Sequence, residues 1–124
     1  MNTEIKTKWI AALRSGNYKQ GFKRLHYKGE WGDVYCCLGV LCELAIESNV
    51  PIRREPIPQN TLVNNGNTQG YGPISVSEYR NYNLLPDTVH EWSGLSYDES
   101  FQLSYHNDEG LPFTGIADII ERWM

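Results

Sequence analysis

Apolar positions recur at two periods along the chain, and the changes between them mark the elements. Ile5, Trp9, Ala12 and Leu13 fall at i, i+4, i+7 and i+8, which predicts an amphipathic helix. Thr3 is its expected cap and Gly16 its expected stop. Over residues 22–36 the pattern shortens to that of strands, with Phe22, Leu25, Tyr27, Trp31, Val34 and Tyr35 set between turn-forming residues. This predicts a β-hairpin. Leu38, Leu41, Cys42 and Ala45 return to helical spacing, and Gly39 among them implies a close backbone approach.

Residues 49–73 break the pattern with Pro51, Pro56 and Pro58 and then NNGNTQGYGP, and read as an irregular, loop-rich segment. Within and just beyond it, 60–64 and 71–77 are candidates to pair as a second hairpin. The last third is helical again. Pro86 is expected at the first position of a helix that carries Val89 and Trp92 and stops at Gly94. Ser96 and Glu99 have capping-box spacing, ahead of a helix with Tyr97, Phe101 and Tyr105 at i, i+4 and i+8. Thr114 is the expected cap of a final helix, whose apolar stripe is Ile116, Ile119, Ile120 and Trp123. The fold class that follows is α+β: about five short helices with a small antiparallel sheet made of one or two β-hairpins, in a single compact domain spanning 1–124.

Composition narrows the class. With 124 residues, 40% hydrophobic and 21% charged, the chain can build one core and is not disordered throughout. No apolar run reaches the ~18–20 residues of a membrane span, and MNTEIKTKWIAAL lacks a signal peptide's apolar region. Cys36, Cys37 and Cys42 are too few and too close for a disulfide framework. With no CxxC pair they suggest no structural metal, so reduced, partly buried thiols and a cytoplasmic setting are expected. No cofactor is expected either, since GxxxxGKS/T and GxGxxG are both missing.

Charge is unevenly distributed. Residues 1–28 hold seven of the eleven Lys and Arg against one acid, so that segment is +6 and the remainder −10. An acidic whole opposes general nucleic-acid binding. The basic residues are instead interleaved with aromatic ones, which suits a phosphorylated ligand bearing a flat base. The candidate binding set is Arg14, Tyr18, Lys19, Gln20, Lys23, Arg24, Tyr35 and Cys36, the last for the N–H groups of the helix it opens. Asn107 and Asp108 are candidates for the far wall of such a pocket. The plain alternative is that the aromatics pack the sheet and the cations are solvated.

Two further constellations stand beside it. Cys36 or Cys37 at a helix N-terminus, or the carboxylates Asp108 and Asp118, would serve a small hydrolase if a base lay within reach. Asp118 has a plainer reading as a partner for a basic residue of the first helix. Glu91, Asp98, Glu99, Asp108, Glu109, Asp118 and Glu121 form an acidic C-terminal body, a surface that could dock a basic partner.

At RSGNYKQGFKRL, YCCLGVLCEL, LLPDTVHEWSGL and HNDEGLPFTGIADIIE the chain resembles a family of small, mostly uncharacterised proteins of bacteriophages and prophages. The resemblance implies action in the cytoplasm of an infected bacterium, against host defence or host regulation. It implies no catalytic assignment. The leading expectation is a non-enzymatic anti-defence protein that sequesters a nucleotide-type signal, its pocket completed by the 60–73 loop or by a homodimer. The alternatives are a protein–protein inhibitor acting through the acidic and aromatic surface, and the small hydrolase.

Overall fold

The computed structural model describes residues 1–56, 68–74 and 81–124. In chain order the elements are α1 (Thr3–Arg14), β1 (Lys19–Gln20), β2 (His26–Gly29), β3 (Gly32–Tyr35), α2 (Cys37–Glu47), β4 (Ile52–Pro56), β5 (Thr68–Pro73), α3 (Asp87–Ser93), α4 (Tyr97–Asp108) and α5 (Phe113–Trp123). The class is α+β, as the pattern predicts. The sheet is larger and less regular than expected: five strands in the order β1-β3-β2-β5-β4. β1 runs parallel to β3 while the other pairings are antiparallel, so the sheet is mixed.

The segment expected to be irregular contributes β4 and β5 at its two ends. Pro56 lies on the outermost strand, where a missing donor is tolerated. β5 buries every residue from Thr68 to Gly72, so no alternation announces it. The expected pairing partner 60–64 falls outside the described residues.

Cap positions shift by one or two residues. Asn2, not Thr3, caps α1, its Oδ1 accepting from the Ile5 amide at 3.0 Å. Pro86 and Pro112 stand just before α3 and α5, and neither helix has a side-chain cap. The capping box of Ser96 and Glu99 forms as the sequence predicts. Gly94 ends α3 in the left-handed region at φ 74°, a conformation with no steric penalty for glycine.

α2 is the centre of the molecule. From Cys37 to Cys42 every residue is buried, as in a helix surrounded by core. The Trp9 indole N–H donates to the Cys37 carbonyl at 3.0 Å, fixing α1 across it. On another side α2 meets the chain at Leu25, whose carbonyl accepts from the Cys36 amide at 3.2 Å. A Cβ on Gly39 would stand 1.8 Å from that same carbonyl oxygen. The helix and the approach to β2 therefore touch backbone to backbone, and the close approach implied by Gly39 is present.

This contact gives the first testable outcome. Gly39→Ala must separate two backbones rather than push aside a side chain. Urea unfolding should show a loss on the order of 3 kcal/mol or more. A loss below about 1 kcal/mol, or the gain that Gly→Ala ordinarily brings inside a helix, would contradict the packing described.

Candidate functional site

The structure brings part of the predicted binding set together, but as an internal knot. Asn107 is fully buried. Its Oδ1 accepts from Gln20 Nε2 and from the Cys37 amide, each at 3.1 Å. Its Nδ2 donates to the Gly21 carbonyl at 2.9 Å and to Asp108 Oδ1 at 3.3 Å. Gln20 also donates to the Leu111 carbonyl at 2.8 Å and accepts from the Phe113 amide at 3.1 Å. Asp108 Oδ1 accepts from the Lys23 amide at 2.7 Å, where Lys23 is held at φ 67°. These groups were expected to face a ligand, and they face each other.

The first turn of α2 is likewise engaged. Asn107 takes the Cys37 amide, while the Cys36 side chain caps none of the helix's amides. Burial pushes the Cys36 thiol up to about 12, and pushes Cys37 and Cys42 well up too. Thiols so protonated and enclosed are not nucleophiles at neutral pH.

The remaining predicted residues disperse. Arg14 pairs with Asp118 at 2.7 Å and Glu121 at 3.2 Å, joining α1 to α5. This is the plainer reading of Asp118, and it takes Arg14 away from a phosphate role. Tyr18 meets Tyr35 edge to face at 5.3 Å, and Tyr35 stacks on His26 at 4.3 Å. These aromatics pack against the sheet, and burial pushes the Tyr35 hydroxyl up to about 12. Lys19, Lys23 and Arg24 have no side-chain partner among the described residues. No three His, Cys, Asp or Glu side chains among the described residues group as metal ligands. None of their helices is long and apolar enough to cross a membrane.

A different surface emerges on α4. This helix buries Ser100, Leu103 and Asn107, and leaves Tyr97, Phe101 and Tyr105 more than half exposed. Its aromatic stripe therefore points outward. The small and polar stripe faces α2, close enough for Cys37 Sγ to reach the Leu103 carbonyl at 3.7 Å. Acidic groups border the aromatics. The Tyr97 hydroxyl donates to Asp87 at 2.7 Å, Glu91 lies near it, and Glu109 lies near Tyr105. Between α4 and residues 81–90 opens a cleft of about 120 Å³, lined among others by Leu84, Leu85, Asp87, His90, Tyr97 and Phe101.

Sequence reasoning also missed a buried polar chain. His26 is 1% exposed. Its Nε2 lies 2.9 Å from Asp33 Oδ1, so that nitrogen must carry a proton. Its Nδ1 lies 3.3 Å from the Tyr71 hydroxyl, which donates to Glu43 Oε2 at 2.9 Å. Glu43 pairs with Arg54 at 2.5 Å. Four strands and α2 are stitched by groups 7 to 45 residues apart in sequence. No local pattern could have disclosed them.

A family model described as a domain of unknown function, DUF8296, matches residues 1–124. No curated protein and no solved structure matches the chain.

The polar chain sets a pH dependence. Burial, only partly offset by the Asp33 hydrogen bond, holds His26 below its ordinary value near 6.5. Between the two values the unfolded chain binds the proton and the folded chain does not. Stability is therefore full above about pH 6.5 and falls as pH drops toward the folded value. The melting temperature should decline from about pH 7.5 to about pH 5, and His26→Gln should flatten that decline. An equally steep decline in the variant would remove His26 as its source.

Proposed function

We propose that this chain, which belongs to the DUF8296 family, is a non-enzymatic binding protein that docks a basic protein partner through the outward face of α4. The observation that carries this reading is the exposure of Tyr97, Phe101 and Tyr105 together inside an acidic border. A water-soluble helix ordinarily turns such a stripe inward, and a cluster of exposed aromatics is the composition of interaction surfaces. Aromatic anchors provide most of the affinity at such surfaces. The acidic border steers a basic partner and rejects an acidic one. The resemblance to phage proteins supports a host protein as the partner, engaged in the cytoplasm of an infected bacterium to blunt defence or redirect regulation. Docking of this kind needs no catalytic group, which agrees with thiols held protonated and carboxylates bonded within the fold.

A second reading keeps sequestration of a small phosphorylated ligand. Lys19, Lys23 and Arg24, without side-chain partners among the described residues, favour it. The two readings depend on opposite ends of the chain.

In a lysate of a bacterial host, the immobilised protein should retain a basic protein. That retention should be lost in Phe101→Ala/Tyr105→Ala with the melting temperature unchanged, and weakened by salt. Retention that survives the double substitution would sink the docking reading. A nucleotide that stabilises the protein by about 2.7 kcal/mol at a hundredfold excess over Kd, with the effect abolished by Arg24→Ala, would establish the second reading instead.

A further inference from the structure

We infer that the cleft beside α4 is a receptor for one arginine side chain presented by the docking partner, an inference that rests on the docking reading. Size comes first. At about 120 Å³ the cleft is far below the ~300 Å³ at which sites for nucleotide-sized ligands begin, yet it can hold a single side chain.

The hydrogen-bonding character of its walls then selects the occupant. His90 is 7% exposed, and its Nδ1 lies 2.7 Å from the Leu95 carbonyl. A carbonyl only accepts, so Nδ1 carries the proton. In the neutral ring Nε2 is then a bare acceptor, with no partner among the described residues. Ser100 spends its hydroxyl proton on the Tyr97 carbonyl at 2.8 Å, leaving only lone pairs. Tyr97 spends its own on Asp87 at 2.7 Å. Asp87 is a carboxylate. Four polar groups of the cleft have thus given their protons elsewhere or have none.

Asn81, Asn83 and Ser104 also line the cleft and can accept as well as donate, so an occupant made of donors suits every polar wall. Guanidinium is that group: five N–H donors, no acceptor, and a charge opposite to that of Asp87. Its three-carbon stem suits the apolar walls of Leu84 and Leu85. Its flat face suits the Tyr97 and Phe101 rings. A leucine or phenylalanine would fill the same volume but leave the His90 and Ser100 acceptors unpaired beneath it. The acidic border around the aromatic stripe, which shares Asp87 with the cleft, points to a basic partner as well.

The test is a two-dimensional NMR titration of the whole chain with the peptide Ac-Ala-Arg-Ala-NH2. Two controls replace arginine by citrulline, which has the same shape without the charge, or by norleucine. The arginine peptide should give saturable shifts at Asp87, His90, Tyr97, Ser100 and Phe101, with both controls at least about tenfold weaker. Asp87→Asn, with an otherwise unchanged spectrum, should weaken the arginine peptide by about tenfold. No saturable shift at these residues, or equal binding of either control, would overturn the inference. If the peptide fails while the host protein is still released by the α4 double substitution, the cleft assignment falls and the docking reading stands. If the peptide binds and no host protein is retained, the reverse holds.

Discussion

The side chain of Asn107 is the constraint on which the rest of the arrangement depends. It makes four hydrogen bonds, the full capacity of an amide, and makes them to the β1 link, the first turn of α2 and its own neighbour on α4. A buried amide that lost one of these would leave a backbone group unpaired in the core, at about 1–3 kcal/mol each. The inward position of Asn107 is therefore strongly enforced. Because it is inward, the residues one and two turns earlier on the same side, Leu103 and Ser100, are inward as well. The aromatics at 97, 101 and 105 must then point out. The candidate docking surface is the outer face of a helix whose inner face is fixed by one amide.

Charge follows the same logic. The sequence divides into a basic first segment and an acidic remainder, and the fold partly cancels the division where α1 meets α5. Arg14 neutralises Asp118 and Glu121 there. Both partners are largely exposed, so the pair contributes little stability. Its effect is on distribution: acidity at the C-terminal end is quenched on α5 and persists beside α3 and α4, where Asp87, Glu91 and Glu109 border the aromatics.

How much of this was legible in the sequence depended on distance along the chain. The five helices, the β2–β3 hairpin, the capping box at Ser96 and the close approach at Gly39 are local, and each was readable from a few neighbouring residues. The strands β4 and β5 were not, because Pro51 and Pro56 bracket one and burial of every residue from 68 to 72 erases the period of the other. The α4 stripe was legible as a period but not as a direction. Ser100 and Asn107 make the truly buried side look polar, and only their partners on α2 and at Gly21 reveal the orientation. The partners of three members of the binding set were hidden for the same reason. Gln20, Asn107 and Asp108 read as ligand contacts in the sequence, and the partners they have in the structure lie 85 to 93 residues away. The role of His26 had no local signal, since its partners Asp33 and Tyr71 lie on two other strands.

The most distinctive block of the sequence, the cysteine-bearing α2, turns out to be packing. That gives the molecule a built-in clock. Cys36, Cys37 and Cys42 are buried, free of disulfides, and distributed over the first half of the central helix. A thiol reagent in solution can reach them only when α2 leaves its setting, and α2 cannot leave without parting from α1, β2 and α4 together. Their rate of alkylation therefore counts openings of the whole structure rather than local fraying. The chain carries its own record of how often it comes apart, without any introduced label.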